Sequence, residues 1–203
     1  GFAINGSKTR MQCRPSRQLV TGLTVNAKVN IRAAYYRLAR AQCDSVFKNG
    51  EYYESFPAIV DEHGTIITPA GIDIGSLPAL EGKLSHIHYV KDQIDRREHG
   101  PKLANKTAFR RLYIDFLFHR YFMTPSQPII VPEGKTDNVY LSLAMKHLPA
   151  FQPKLGAFAG KTFERTVSFF PMTGQAKELV QLGGSELKFF IQRYKQNLVR
   201  FPH

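Results

Sequence analysis

Cysteine is scarce in this chain: Cys13 and Cys43 stand alone, with no Cys-x-x-Cys pair and no spacing that would build a disulfide framework. That usage points to a reducing compartment, the cytoplasm. Long hydrophobic runs are missing too. The most apolar stretches are broken by Arg, His, Asp or Pro within about ten residues, where a membrane-spanning helix needs roughly 20, so no membrane partner is expected. No signal peptide, internal repeat, heptad run or low-complexity tract is visible. Acid is nearly absent from the first quarter, where residues 1–50 hold nine Lys/Arg and one acid. The chain opens "GFAING" without an initiator Met and reads as a fragment of a longer protein.

What is present is an ordinary core and an uneven charge. Of 203 residues, 43% are hydrophobic, enough to fold and too many for disorder. The net charge of +12 is distributed as +8 over residues 1–50, −5 over 51–100, +4 over 101–150 and +5 over 151–203. Such segregation implies separate surfaces. A basic N-terminal quarter suits a polyanion such as nucleic acid, with a plain solvated basic surface as the bland alternative.

Along the chain, "RQLVTGLTVN" predicts short antiparallel strands, with Gly22 at a bulge or bend where backbone approaches something closely. Asn30 is placed to cap a helix over residues 31–48 that stops at Asn49-Gly50. Its expected inner side is Ile31, Tyr35, Leu38, Val46 and Phe47, with Arg32, Arg37 and Arg40 on a basic flank. Residues 51–75 read as an irregular connection, with room for a short hairpin. Helical spacing returns in Leu77, Leu80, Leu84, Ile87 and Ile94, and again over 105–122, where Phe109, Leu112, Phe116 and Leu117 form the inner stripe. After residue 125 the pattern changes to strand, helix, strand, helix. Residues 129–132 and "TVSFF" read as strands, "KELVQLGG" as another, and Ser185 caps a last helix. The fold class expected is α+β: a small antiparallel sheet with helices, then an incomplete parallel α/β module. The expected divisions are 1–29, 30–123 and 124–203.

The opening quarter of the chain resembles the end of the palm (1–29) and the thumb (30–123) of bacterial retron-type reverse transcriptases. The matching text is "GFAINGSKTR" and "SRQLVTGLTVNAKVNIRAAYYRLARA", with a looser match at "LEGKLSHIHYV"; Val20, Thr21 and Gly22 correspond to the family's V-T-G triplet. The resemblance covers about residues 1–95 and implies a surface that holds structured RNA and an RNA/DNA duplex. Lys8, Arg10, Arg17, Val20, Thr21, Gly22, Asn26, Arg32, Tyr35, Tyr36, Arg37 and Arg40 would contact it. Tyr35 and Tyr36 would offer rings to a base or ribose, unless one packs in the core. The family's polymerase carboxylates belong to a Y-x-D-D strand upstream of "GFAIN", and no such motif occurs here. Two-metal nucleotidyl transfer requires such a pair, so the chain alone is not expected to polymerise. The parent would make a small RNA-linked DNA (msDNA) and act in antiviral defence.

The stretch Ile129 to Asp137, "IIVPEGKTD", sets Glu-Gly at the end of a strand and an acid at the opening of a helix. It resembles the start of a Toprim domain, as in nucleases of the overcoming-lysogenization-defect type. That resemblance implies Glu133 as general acid/base or Mg²⁺ ligand, Gly134 and Lys135 at a phosphate, and Asp137 as a second acid or a helix cap. The family's later D-x-D is not found before the chain stops, and Glu164, Glu178 and Glu186 are the only acids after Asp137. Two alternatives therefore stand beside the polymerase reading. One is a Mg²⁺-dependent nuclease module, completed by downstream sequence, acting on effector DNA or engaging a protein. The other is a non-catalytic module that binds RNA or a partner. His86-x-His88 lacks the i, i+4 spacing of a helical metal pair and reads as surface or partly buried histidines.

Overall fold

The computed structural model describes residues 3–6, 11, 13–99, 107–132, 134–171, 176, 179 and 186–201. It begins with a three-stranded antiparallel sheet of β1 (Leu19–Val20), β2 (Leu23–Thr24) and β3 (Asn30–Ile31), in that spatial order. Leu19 pairs with Thr24 and Val20 with Leu23, and Val25 N–H donates to the Gln18 carbonyl at 3.0 Å, which lengthens the ladder. Helix α1 (Ala33–Asn49) follows β3 almost at once. Asn30 is thus a strand residue opposite Thr24, not the helix cap expected of it. Its side-chain oxygen accepts from Ile31 N–H at 2.8 Å, and Arg32 occupies the position before the first turn. The C-terminal stop is as expected: Gly50 takes a left-handed φ of 80° and donates to the Val46 carbonyl at 2.9 Å.

Helix α1 packs with α2 (Leu77–His99) and α3 (Ala108–Phe118), and α3 continues into a π-helical turn, His119–Met123. The inner face of α1 is Ala39, Gln42, Cys43 and Val46; Leu38, expected inside, is exposed. Burial, with a smaller contribution from Asp115, pushes the Cys43 thiol up to about 12. Leu80, Leu84 and Ile87 of α2 and Phe109, Phe116 and Leu117 of α3 are buried as their spacing predicts. Asp92 and Arg110 form a buried ion pair between α2 and α3. His88 is fully buried with its ring against Phe109 and Tyr113, whereas His86 is exposed.

Residues 51–75 form more than an irregular connection. They make a two-stranded antiparallel ribbon in two segments. Near the body, β4 (Tyr53–Phe56) pairs with β7 (Gly71–Ile74); beyond them, β5 (Ile59–Val60) pairs with β6 (Ile66–Thr68) across a bulge. Asp61 closes the far turn, its Oδ1 accepting from the N–H groups of His63 and Thr65. At the root, Glu54 pairs with Lys83 and accepts from Gln42 at 2.9 Å, which ties the ribbon to α1 and α2 and holds the Glu54 carboxyl below its usual range.

The last third contains one parallel strand pair. The strand β8 (Ile129–Ile130) precedes α4 (Lys135–His147), a hairpin of β9 (Gly156–Ala159) and β10 (Thr162–Arg165), and β11 (Ser168–Phe169), which returns parallel to β8. The β9–β10 hairpin is absent from the sequence expectation. Of the strand expected over 177–184, only Leu179 is described, and its backbone, like that of Ala176, is helical. The final helix α5 (Glu186–Arg200) lays Phe190 and Tyr194 against Phe118 and Phe122. Phe201 follows it onto Phe47, Phe118 and His119, and burial lowers the His119 pKa. One hydrophobic core therefore runs from Ile31 to Phe201, across the division expected near residues 123–128. The architecture is mixed α and β.

Two glycines give opposite expectations for alanine. A Cβ on Gly75 would strike the ring of Tyr52, a buried core residue whose hydroxyl donates to the Ser76 carbonyl at 2.9 Å. Gly82 lies in exposed helix with open space around it. Chemical denaturation should show Gly75→Ala destabilised by about 1–3 kcal/mol through overpacking. Gly82→Ala should be stabilised by about 0.5–1 kcal/mol through helix propensity.

Candidate nucleic-acid interface

The hairpin between β1 and β2 turns in two residues, Thr21 (φ 47°) and Gly22 (φ 85°). Positive φ at both positions matches the right-handed twist of the flanking strands. Glycine takes this conformation freely; a β-branched threonine rarely does. The Thr21 hydroxyl donates to the Val20 carbonyl at 2.8 Å. Around Gly22 a Cβ would meet nothing among the described residues within 4 Å, so its φ is what calls for glycine. Of the bulge or bend expected at Gly22, the structure has the bend, a tight two-residue turn.

Below the turn, Asn26 clasps the hairpin. Its Oδ1 accepts from Gln18 N–H at 2.9 Å and its Nδ2 donates to the Ser16 carbonyl at 2.7 Å. The sequence put Asn26 among the contact residues; both ends of its amide are engaged with the protein's own backbone.

Between the turn and the helices lies a cleft of about 390 Å³. Thr21 and Gly22 form one lip, Leu23 and Ile31 lie on the sheet side, and Arg32, Tyr35 and Leu38 come from the start of α1. His86 enters from α2, its ring edge-on to Tyr35 at 6.4 Å between centroids. Partial burial raises the Tyr35 hydroxyl pKa. The cleft thus offers an apolar floor, an exposed guanidinium and two rings. Such a surface takes a sugar or base face while the cation reaches a phosphate.

Four of the residues singled out from the sequence, Thr21, Gly22, Arg32 and Tyr35, line this cleft together. Others do not join them. At about 100° per helical residue, Arg37 and Arg40 point away from Tyr35 and Leu38. Tyr36 is turned to this second flank, with Lys91 5.3 Å from its ring centre and Arg40 close enough to act on its hydroxyl. Burial is the larger influence there and raises the Tyr36 pKa. Arg17 and Val20 are exposed on the sheet side of the hairpin. Lys8 and Arg10 lie outside the described residues. Leu38 and His86 were not assigned to this site from the sequence. An apolar residue at the wrong angle for the α1 core was the available signal for Leu38; nothing local marks His86.

The second candidate is the β8–α4 connection. Gly134 N–H donates to Asp137 Oδ2 at 2.8 Å, so Asp137 caps the first turn of α4. Lys135 begins that helix, and its side chain and Glu133 lie outside what is described. Among the described residues no three His, Cys, Asp or Glu side chains gather as metal ligands. Among them, too, no helix is long and apolar enough to cross a membrane. No protein-family model matches the chain, and no solved structure matches it.

The different circumstances of Asn26 and Arg32 can be measured. Asn26→Ala removes two hydrogen bonds that close the hairpin and should lower stability by about 1–2 kcal/mol in a denaturation curve. Arg32→Ala, at an exposed position, should stay within about 0.5 kcal/mol of the parent.

Proposed function

We propose that this chain is the nucleic-acid-holding part of a retron-type reverse transcriptase, the end of the palm and the thumb. Its parent carries out RNA-directed DNA synthesis in the cytoplasm, yields RNA-linked DNA and serves antiviral defence. The polymerase carboxylates and their Mg²⁺ ions belong to the parent's preceding sequence, so the role of this chain is to grip structured RNA and the growing RNA/DNA duplex. The observation that carries the reading is the meeting of Thr21, Gly22, Arg32 and Tyr35 at one open cleft. The first-quarter charge of +8 supports it, because attraction to a phosphate backbone needs no sequence match.

In this reading the turn presents backbone and the Thr21 edge to the strand being held. Arg32 neutralises a phosphate, and Tyr35 with His86 supports the adjoining sugar or base. Arg37, Arg40 and Lys91 on the second flank would take the other strand of a duplex. Fluorescence anisotropy with an RNA/DNA hairpin over a salt series tests this. Binding should weaken linearly in log–log form, and Arg32→Ala should reduce the slope by about 1. Arg32→Ala with Arg37→Ala and Arg40→Ala should reduce it by about 3 if both flanks are used. An unchanged slope in the triple variant removes the grip.

A second reading is favoured by one observation, the parallel pairing of β8 and β11 with α4 starting just after Gly134. Ligands of open α/β sheets bind at the carboxyl ends of parallel strands, where Glu133 falls in the sequence. The reading is a Toprim-type nuclease module that acts on effector DNA, or recruits a protein, once further acids are supplied. Glu133→Gln in the full-length parent should abolish Mg²⁺-dependent nicking of supercoiled DNA and leave RNA affinity unchanged. Nicking that survives this substitution places the chemistry elsewhere. A parent that binds RNA but neither synthesises DNA nor nicks it would leave the third reading, a non-catalytic binding module.

A further inference from the structure

The ribbon of residues 51–75 has a composition unlike the rest of the chain. It holds five acids, Glu51, Glu54, Asp61, Glu62 and Asp73, and no Lys or Arg. All 28 Lys/Arg and the other 11 acids lie outside it, so the ribbon is −5 on a body of +17. Its faces differ as well. Cross-strand partners share a face, so Tyr53 with Ile74 and Ser55 with Ile72 form one side, and Glu54 with Asp73 the other. Glu54 reaches back to Lys83 and Gln42, which turns the first side outward. There Tyr53, Ile72 and Ile74 are 58%, 73% and 59% exposed. Farther out, Ile59, Val60, Ile66 and Ile67 are also exposed. Isolated two-stranded ribbons are marginal in water, and contiguous apolar surface of this kind marks an interaction site.

We propose that this ribbon is a docking arm for a second copy of the chain, received on the outer face of α4. An acidic arm is repelled by nucleic acid and attracted by a basic protein surface, and this chain displays one. On α4, Val139, Tyr140 and Leu143 are exposed at helical spacing. Lys146 falls on the helix face of Val139 and Leu143, and Lys154 and Lys161 are exposed in the segments that follow α4, so apolar contact and opposite charge meet on this face. Arm against arm would bring −5 to −5, which disfavours that geometry. Reciprocal exchange, each arm on the other copy's α4, closes with twofold symmetry and leaves no open end.

Sedimentation velocity on the whole chain, over a series of concentrations and salt, tests the proposal. A dimer that dissociates as salt rises is expected. Ile72→Lys on the arm and Tyr140→Glu on α4 (71% exposed) should each weaken it about tenfold or more. Both sites are exposed, and circular dichroism checks that each variant keeps its helices; Ile74→Lys and Leu143→Glu repeat the test at neighbouring positions. Mixing the two variants supplies the decisive measurement. In the mixed dimer one arm–α4 contact is wholly native and the other sets the new lysine against the new glutamate, so heterodimer should form where neither variant dimerises alone. A wild-type chain that stays monomeric, a dimer indifferent to both substitutions, or variants that fail to complement would overturn the proposal, and a different protein would then be the arm's partner.

Discussion

The cleft depends on how firmly a very small sheet is fixed to the helices, and that rests on Ile31. Each strand of the sheet is two residues long, too little to hold a shape in water. Ile31 is buried at the end of β3, next to a backbone that enters α1 two residues later, and β3 lies against α2. Leu23, its partner across the ladder, packs on the same core. Burying such a side chain contributes about 1.5–3 kcal/mol. Here that contribution does double duty, since it stabilises the core and sets where the Thr21-Gly22 turn stands relative to Arg32 and Tyr35.

The charge is organised around this arrangement. Nine of the 16 acidic residues lie in the ribbon and the helix after it, while residues 1–50 carry nine Lys/Arg and one acid, Asp44. Where acids meet the basic body within one chain they are consumed in pairs: Glu54 with Lys83, Glu81 with Arg120, Asp92 with Arg110. These pairs link the ribbon root, α2, α3 and the π-helical turn. They sit at intermediate or buried positions, where a lost partner is more costly than at the surface. Arg32, Arg37 and Arg40, at and just inside the start of α1, are exposed and present positive charge outward.

Much of the helical frame was legible. Leu80, Leu84 and Ile87 recur at threes and fours, and a stripe so regular has few other folds. Of the α1 stripe, Ile31, Tyr35, Val46 and Phe47 lie in or against the core, and Leu38 does not. The stripe also missed Ala39, Gln42 and Cys43, small or polar side chains that permit close approach without a strong apolar signal. Asn30 misled for a local reason: its side chain bonds the next N–H, a habit shared by helix caps and strand ends. Only room for a short hairpin was legible in the ribbon, because its isoleucines are largely exposed and not strictly alternating, and such a pattern carries no period. The strand–turn–helix of β8 and α4 was legible as a parallel strand followed by a capped helix. The chemistry proposed there turns on Glu133, which lies outside the described residues, and no rule of spacing supplies the further carboxylates such chemistry requires. Arg32 was grouped with Arg37 and Arg40 because the helix was expected to start at Ile31; it starts at Ala33, which leaves Arg32 at the position before the first turn, beside the cleft.

Thr21 bears on whether the turn serves only to join two strands. A connection with positive φ at both residues is made most readily by Asn-Gly or Gly-Gly, and threonine there is strained by roughly 1 kcal/mol or more. A purely structural turn has no reason to retain that strain. The hydroxyl is turned to the Val20 carbonyl, which offsets part of the cost and fixes the side chain in one rotamer. Asn26 then prevents the hairpin from relaxing by opening at its base. The result is an edge whose shape is set before anything binds, standing over an apolar floor with one cation beside it. Strain at a fixed, exposed position that lines a cleft argues from the outlier toward a binding role, because ordering this edge in advance removes an entropy loss that association would otherwise incur.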